Sequence, residues 1–352
     1  MKGRLALAAA AAAVVQVASM AQPGQVTLFV PAFDGPGSLG RNVATILNLQ
    51  VWQTLRKAPT PNPANRNFGS GMVLWDDRPL AASDHESAER AARNNTADLV
   101  LWGKASRYGS GVVVQAFLTI PPSERPRAWE VTVQTPDGPA AIGVDLPRLR
   151  HQFRPLVLDP AIVDTYSTPD ALNLYATPTA AQPIGVVGPE FTALEQGGRA
   201  ARIRSGGTIG WVRLPALSTT RSEVVDFVGG VIRILRSDWD GAAVLLRQVL
   251  GNGQAPTGLK LDAHLLLAVA LERGGGDGSE ELRRAYALNP YDRPTVSYVI
   301  MGRLLAVARA PRASPQRGRL AAEARELLAS HRYIFPDDDP WVRRVAAFLR
   351  AP

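Results

Sequence analysis

The chain has 352 residues, which is enough for two or three domains. It is basic, with a net charge of +8, and the charge comes almost entirely from arginines scattered along the chain, with some density after Arg303. A nucleic-acid-binding surface would need these arginines on one face, so we expect no nucleic-acid partner. A basic face for an anionic envelope polymer or a membrane surface is the alternative. The absence of cysteine excludes disulfides, a lipid anchor on cysteine and thiol catalysis.

The first 21 residues have the pattern of a cleaved signal peptide. Lys2 and Arg4 precede an apolar, alanine-rich stretch at 5–17 that is too short for a stable membrane span. Small residues at Ser19 and Ala21 predict cleavage after Ala21. No later stretch has the roughly 18 uninterrupted apolar residues that a span needs. We therefore expect a mature protein that is soluble in the periplasm, with an uncleaved signal anchor as the alternative.

Residues 25–150 alternate strands with helices, a pattern that predicts an α/β domain of the three-layer type. Segments 129–135 and 142–146 are predicted as further strands at the edge of its sheet. The main predicted elements, in chain order, are a buried strand at 25–33, a helix capped by Ser38, a strand at 71–75, a helix capped by Ser83 with Glu86 in a capping box, a strand at 97–103 and its antiparallel partner at 112–120.

The loop Gly35–Gly40 fits the G-x-G-x-x-G pattern between a strand and a helix, which is where a dinucleotide fingerprint would lie. Asp34 and Pro36 place a negative charge and a missing N–H where a pyrophosphate would bind. Asp76, an acidic residue after the next predicted strand, lies beyond the usual spacing. A turn followed by a helix cap is the favoured interpretation. The alternative is a nucleotide- or small-ligand-binding envelope sensor that uses Gly35–Gly40.

A helix ending near Asn95 is followed by the stretch Ala97-Asp-Leu-Val-Leu-Trp-Gly103 and then by a hairpin. Together with Val30-Pro-Ala-Phe33 after the first strand, this pattern resembles the amino-terminal domain of TolB-like periplasmic proteins. The resemblance implies a non-enzymatic domain for assembly or binding. It stops before the β-propeller repeats of that family, which have no counterpart in this sequence.

Residues 151–170 are proline-containing and are predicted to link two modules, and residues 171–217 follow as a small β-module. Short apolar segments separated by glycine turns fit a closed small barrel, because closure removes exposed strand edges. The five predicted strands lie at 171–179, 184–188, 190–196, 199–204 and 209–214.

Asn173 and Pro178 match the opening signal of bacterial SH3 domains, and Gly210-Trp211-Val212 matches their closing signal. On these residues the module 171–217 resembles a bacterial SH3 domain. In that family the loop after the first strand and the closing tryptophan line a groove for peptides or cell-wall fragments. The resemblance therefore implies partners of these two kinds.

Three side chains are the candidate binding residues that this resemblance implies: Tyr175, Thr177 and Trp211. Tyr175 and Thr177 depart from the family pattern, in which arginine and glycine are more usual at these positions. For Trp211, a structural role at the edge of the barrel is the alternative to contact with a ligand.

Residues 218–352 have helical periodicity and predict helices in pairs. Pro256 and Pro290 lie about one 34-residue repeat apart, and Ala285–Pro290 has the ending of a tetratricopeptide repeat. The region resembles a short tetratricopeptide array, which implies a concave face for a peptide or a partner helix. A packed helical domain that only braces the barrel is the alternative. The predicted helices lie at 224–235, 239–250, 259–273, 279–289, 296–308, 316–333 and 341–349.

The titratable residues give no pattern typical of catalysis. The four histidines (His85, His151, His264 and His331) lack metal-ligand spacing, and no Gly-x-Ser-x-Gly motif occurs. Asp337–Asp339 is interpreted as a charge patch that favours a helix N-terminus. We expect no metal, no cofactor and no catalytic residues, although a carboxylate pair formed in the fold would permit envelope hydrolysis.

These observations predict a multidomain α+β protein with an α/β domain, an SH3-like barrel and a tetratricopeptide-like helical domain at 218–352. The predicted function is that of an exported, non-enzymatic scaffold. We expect it to bind envelope proteins or cell-wall fragments through the last two modules.

Overall fold

A computed structural model describes residues 26–57, 72–122, 128–135, 138–165, 173–187, 190–197, 200–213, 222–311 and 314–350. The fold is mixed α+β, as the sequence predicts. The predicted signal peptide at 1–21 lies outside the described residues. Within them, no helix combines the length and the apolar character needed to cross a membrane.

The chain divides into two compact units. The larger unit comprises 21–126 and 146–290, and the smaller one takes 127–145 and 291–352 together with the first 20 residues, which lie outside the described part.

The strands are β1 (Thr27–Ala32), β2 (Met72–Pro79), β3 (Leu99–Tyr108), β4 (Gly111–Thr119), β5 (Trp129–Thr135), β6 (Gly138–Val144), β7 (Arg150–Gln152), β8 (Leu156–Leu158), β9 (Asn173–Tyr175), β10 (Pro183–Val186), β11 (Glu190–Gly197), β12 (Ala200–Ser205) and β13 (Thr208–Arg213). The helices are α1 (Leu39–Lys57), α2 (His85–Asn94), α3 (Pro160–Thr165), α4 (Glu223–Leu235), α5 (Trp239–Gly251), α6 (Thr257–Arg273), α7 (Ser279–Leu288), α8 (Arg293–Arg309), α9 (Pro315–Ser330) and α10 (Pro340–Arg350).

The first part of the larger unit has the predicted α/β order. β1 is buried along its whole length and lies parallel to both β2 and β3, while β4 pairs antiparallel with β3. The predicted cap of α2 is wrong by one residue. Asp84 is the N-cap and accepts a hydrogen bond from Ser87 N at 2.7 Å, whereas the Ser83 hydroxyl donates to Asp34 at 3.1 Å. A capping box between Ser83 and Glu86 therefore does not form.

Part of the predicted linker at 151–170 belongs to the sheet, and residues 166–170 lie outside the described residues. β7 pairs with the end of β4, and β8 pairs with its beginning. His151 and Phe153 are buried, which fixes this segment against the fold. Of the prolines that predict a linker, Pro155 lies between β7 and β8, and Pro160 is the first residue of α3.

Strands β9–β13 form an antiparallel row in the order β10-β9-β13-β12-β11. β11 also pairs with β2, so the row continues the sheet of the α/β part. Among the described residues, the pairings leave β10 at the end of the row and do not close it into a ring. The prediction of a closed, separate barrel thus differs from the structure, because β2 occupies the edge of β11.

Helices α4–α7 complete the larger unit and pack in sequence. α4 is buried from Glu223 to Ile234, and its apolar side chains join one core with α1 and the sheet. A fully buried arginine, Arg233, donates hydrogen bonds to the Leu55 carbonyl oxygen at the end of α1 and to Asp238 before α5. These contacts fix α1, α4 and α5 to one another.

In the smaller unit, β5 and β6 pair with each other and not with the large sheet, so their prediction as its edge strands is wrong. Trp341 Nε1 of α10 donates to the Gly143 carbonyl oxygen at 2.9 Å, and the Tyr298 hydroxyl of α8 donates to the Asp145 carbonyl oxygen at 2.8 Å. These contacts explain why the hairpin groups with α8–α10. The helical region therefore divides near residue 290 and does not form one block from 218.

Candidate functional site

Two of the predicted binding residues lie side by side in the sheet. Tyr175 of β9 and Trp211 of β13 are paired across the two strands, which places both side chains on one face. Tyr175 is only 2% exposed, and Trp211 is half-buried. The Arg213 guanidinium carbon lies 3.9 Å from the centre of the Tyr175 ring, within the range of a cation–π contact. Tyr175 is therefore mainly a structural residue beneath the surface.

Arg213 also fastens the loop that follows β9. Its Nε donates to the Pro178 carbonyl oxygen at 3.3 Å, and its Nη2 donates to the Ala180 carbonyl oxygen. Thr177 is exposed in this loop, and its carbonyl oxygen accepts a hydrogen bond from Ala180 N at 3.2 Å. The geometry thus presents Thr177 and part of Trp211 to solvent. Arg213 also belongs to the site. The sequence did not indicate it, because its contacts with Pro178 and Ala180 join the end of β13 to a turn more than thirty residues earlier.

Apolar side chains are exposed next to this cluster. Ile184 and Val186 of β10 are 48% and 69% exposed, and Ile209 of β13 is 40% exposed. We call the segment Pro183–Val186, which ends the row of strands, the β10 edge. An end strand with exposed apolar residues offers both backbone hydrogen-bonding groups and side-chain contacts to an added strand.

The sequence missed the exposure of the β10 edge because an apolar run is normally interpreted as core. The one signal that could have revealed it is Pro183. Proline has no N–H to donate to a neighbouring strand, so it is largely confined to edge strands and strand starts.

The Gly35–Gly40 loop is held against β3 and the end of β1. Asp34 N donates to the Gly103 carbonyl oxygen at 2.8 Å, and Phe33 N donates to the Gly40 carbonyl oxygen at 3.1 Å. A Cβ atom at Gly40 would lie 1.7 Å from the Phe33 carbonyl oxygen. Close packing of the backbone thus accounts for this glycine without a bound ligand. Asp76, which is predicted to follow a strand, lies inside β2.

All four histidines have protein partners. The His85 ring makes edge-on contacts with Trp102 and Phe117. Burial lowers the pKa of His85. Within the described residues, no three His, Asp or Glu side chains are grouped as metal ligands. The ring nitrogens of His85, His151, His264 and His331 contact, respectively, Thr119 Oγ1 (2.8 Å), Asp262 Oδ2 (3.4 Å), Glu281 Oε2 (2.6 Å) and the Leu327 carbonyl oxygen (2.8 Å).

The acidic run Asp337–Asp339 lies directly before α10, and its last residue contacts the helix start. Asp339 Oδ1 accepts hydrogen bonds from Trp341 N at 2.8 Å and Val342 N at 3.4 Å. Its Oδ2 pairs with Arg293 at the start of α8. This carboxylate therefore has a structural role as a helix cap.

No protein-family model matches the chain, and no curated protein matches it at a significant level.

Proposed function

We propose that this protein is an exported scaffold that binds an extended segment of an envelope protein by strand addition at the β10 edge. The observation that carries the proposal is the exposure of Ile184 and Val186 on a strand with no neighbour on one side among the described residues. An extended peptide would pair its backbone with this edge and cover these side chains.

The neighbouring cluster supports the same function. Trp211 is half-buried, and an aromatic ring of this kind supplies a large contact area at small entropic cost. Because Arg213 fixes the loop that carries Thr177, the surface beside the β10 edge is ordered before a partner arrives. The resemblance of residues 171–217 to bacterial SH3 domains fits peptide or cell-wall ligands.

We assign the tetratricopeptide-like helices of the larger unit mainly a bracing role. The bracing role is supported by the burial of α4 and by the hydrogen bonds of Arg233. In both cases α4 packs against other parts of the same unit and is not available to a partner. The signal-peptide pattern supports export to the periplasm, and the TolB-like pattern supports a domain for assembly. We propose no catalytic activity, because the histidines that drew attention in the sequence make structural contacts.

A displayed library of random peptides tests this function. Selection on the full chain should enrich extended, apolar-containing peptides, and their binding should be lost in Val186→Lys. Tyr108→Lys is the matched control, since Tyr108 is 80% exposed at the far end of β3. Equal loss in both variants, or no loss in either, would contradict the proposal. Cosedimentation with purified cell-wall sacculi, using the same variants, separates a wall ligand from a protein ligand.

A further inference from the structure

A cavity of about 420 Å³ opens to the surface of the larger unit and shares no residue with the β10 edge. Its volume falls in the range of small-molecule sites. The walls are the segment 154–159 that contains β8, Ile162 of α3, Gln50 of α1, the start of α4 at Ser222 and Glu223, and Asn252 after α5. The cavity is therefore built from elements that are distant in sequence.

Apolar side chains form part of the wall. They are those of Pro155, Leu156, Val157, Leu158 and Ile162. This surface would hold a hydrocarbon group, because removing it from water is favourable.

The cavity also has a positive group, Arg154, whose charge lies near that of Glu223. The Arg154 side chain is exposed at the cavity, and its backbone N–H donates to Glu223 Oε1 at 3.3 Å. Guanidinium groups bind carboxylates through two parallel hydrogen bonds. The Ser222 hydroxyl, which accepts a hydrogen bond from Val224 N, can still donate to the same anion.

Two carboxylates balance that positive group. Glu223 is 2% exposed, and Oε2 accepts a hydrogen bond from Asn252 Nδ2 at 3.1 Å. Burial raises the pKa of Glu223. Asp159 is exposed, and its Oδ1 accepts from Ala161 N at 2.8 Å. The wall therefore has one cation and two acidic groups, which suits a ligand that carries both signs of charge.

We propose that this cavity binds a small zwitterionic compound of the amino-acid class with an apolar side chain. Arg154 binds its carboxylate, and Asp159 together with Glu223 faces its ammonium group. Leu156, Leu158 and Ile162 contact its side chain. This site is independent of the β10 edge, so either assignment can fail without the other.

Isothermal titration of the full chain with three matched probes tests the assignment. The probes are L-leucine, 4-methylpentanoate, which lacks the ammonium group, and isoamylamine, which lacks the carboxylate. Leucine should bind, and each truncated probe should bind at least about tenfold more weakly, because each loses a hydrogen-bonded charge. No binding of leucine, or equal binding of a truncated probe, would overturn the assignment.

Arg154→Gln provides the second test. It removes the guanidinium and keeps the backbone N–H that holds Glu223, so the fold should be retained. We expect leucine affinity to fall about tenfold or more. Arg150→Gln is the matched control, because Arg150 pairs with Glu89 at 2.8 Å and does not line the cavity. Unchanged affinity in Arg154→Gln, or the same loss in Arg150→Gln, would contradict the proposal, and the melting temperature of each variant shows whether it is folded.

Discussion

Helix α4 and strand β10 belong to the same unit but differ in the burial of their side chains. α4 buries every residue from Glu223 to Ile234, including the charged Arg233. β10 is apolar in sequence, yet Ile184 and Val186 are exposed. The difference separates residues that stabilise the fold from residues available to a partner. Mutations should therefore change stability in the first region and binding in the second.

The largest effect on stability should come from Arg233→Ala. The change removes the hydrogen bonds to Leu55 and Asp238 and leaves the Asp238 carboxylate buried without its cation. Breaking a buried pair from one side costs roughly 3–5 kcal/mol. Urea denaturation should show a correspondingly lower midpoint. Arg247→Ala, on an exposed position of α5, is the control and should change stability by less than about 0.5 kcal/mol.

Gly40→Ala should come next. The new Cβ would collide with the Phe33 carbonyl oxygen, and overpacking of this kind costs roughly 1–3 kcal/mol. The loss should appear in thermal melting without any nucleotide present. If the variant were as stable as the parent chain but lost a measured nucleotide affinity, the sensor alternative for Gly35–Gly40 would gain support.

His85 should make a smaller contribution to stability, and this contribution should depend on pH. Burial lowers the pKa of His85 below its usual value of 6.5, so the fold favours the neutral ring. The contribution of His85 is complete above pH 6.5 and is lost as the pH falls through its folded-state pKa, because the unfolded chain takes up the proton first. We expect His85→Asn to lose less stability than the parent chain between roughly pH 7.5 and 5.5. An equal loss in both proteins would show that other groups control this pH range.

The smallest effect on stability should come from Val186→Lys. An exposed apolar side chain contributes little to the fold, so the free energy of unfolding should change by less than about 0.5 kcal/mol. Denaturation curves of variant and parent should overlap. A large loss would mean that Val186 belongs to the core, which would remove the distinction between α4 and β10.

Local pattern in the sequence is enough to predict the elements whose partners are close in the chain. The hairpin of β3 and β4 and the helices α4–α10 follow from alternation, helical periodicity and turn residues. The N-cap of α2 does not follow from local pattern, because Ser83 and Asp84 are both good N-cap residues. The hydrogen bond of Ser83 to Asp34 leaves Asp84 as the cap.

Long-range pairing could not be predicted in the same way. Nothing local in β11 indicates that it pairs with β2, and nothing in 129–144 indicates that this hairpin contacts helices more than a hundred residues later. The candidate site shows the same limit. Trp211 and Tyr175 were found through a family pattern, whereas Arg213 and the exposed β10 edge depend on the folded arrangement.

Hydrogen exchange at the β10 edge is the most direct test of partner binding by strand addition. The measurement compares backbone amide exchange of the free chain with that of the chain saturated with a library-selected peptide. Strand addition should slow exchange at 184–186, where a new strand would accept hydrogen bonds, and leave exchange in α4–α7 unchanged. Protection confined to the helices, with 184–186 unchanged, would contradict it.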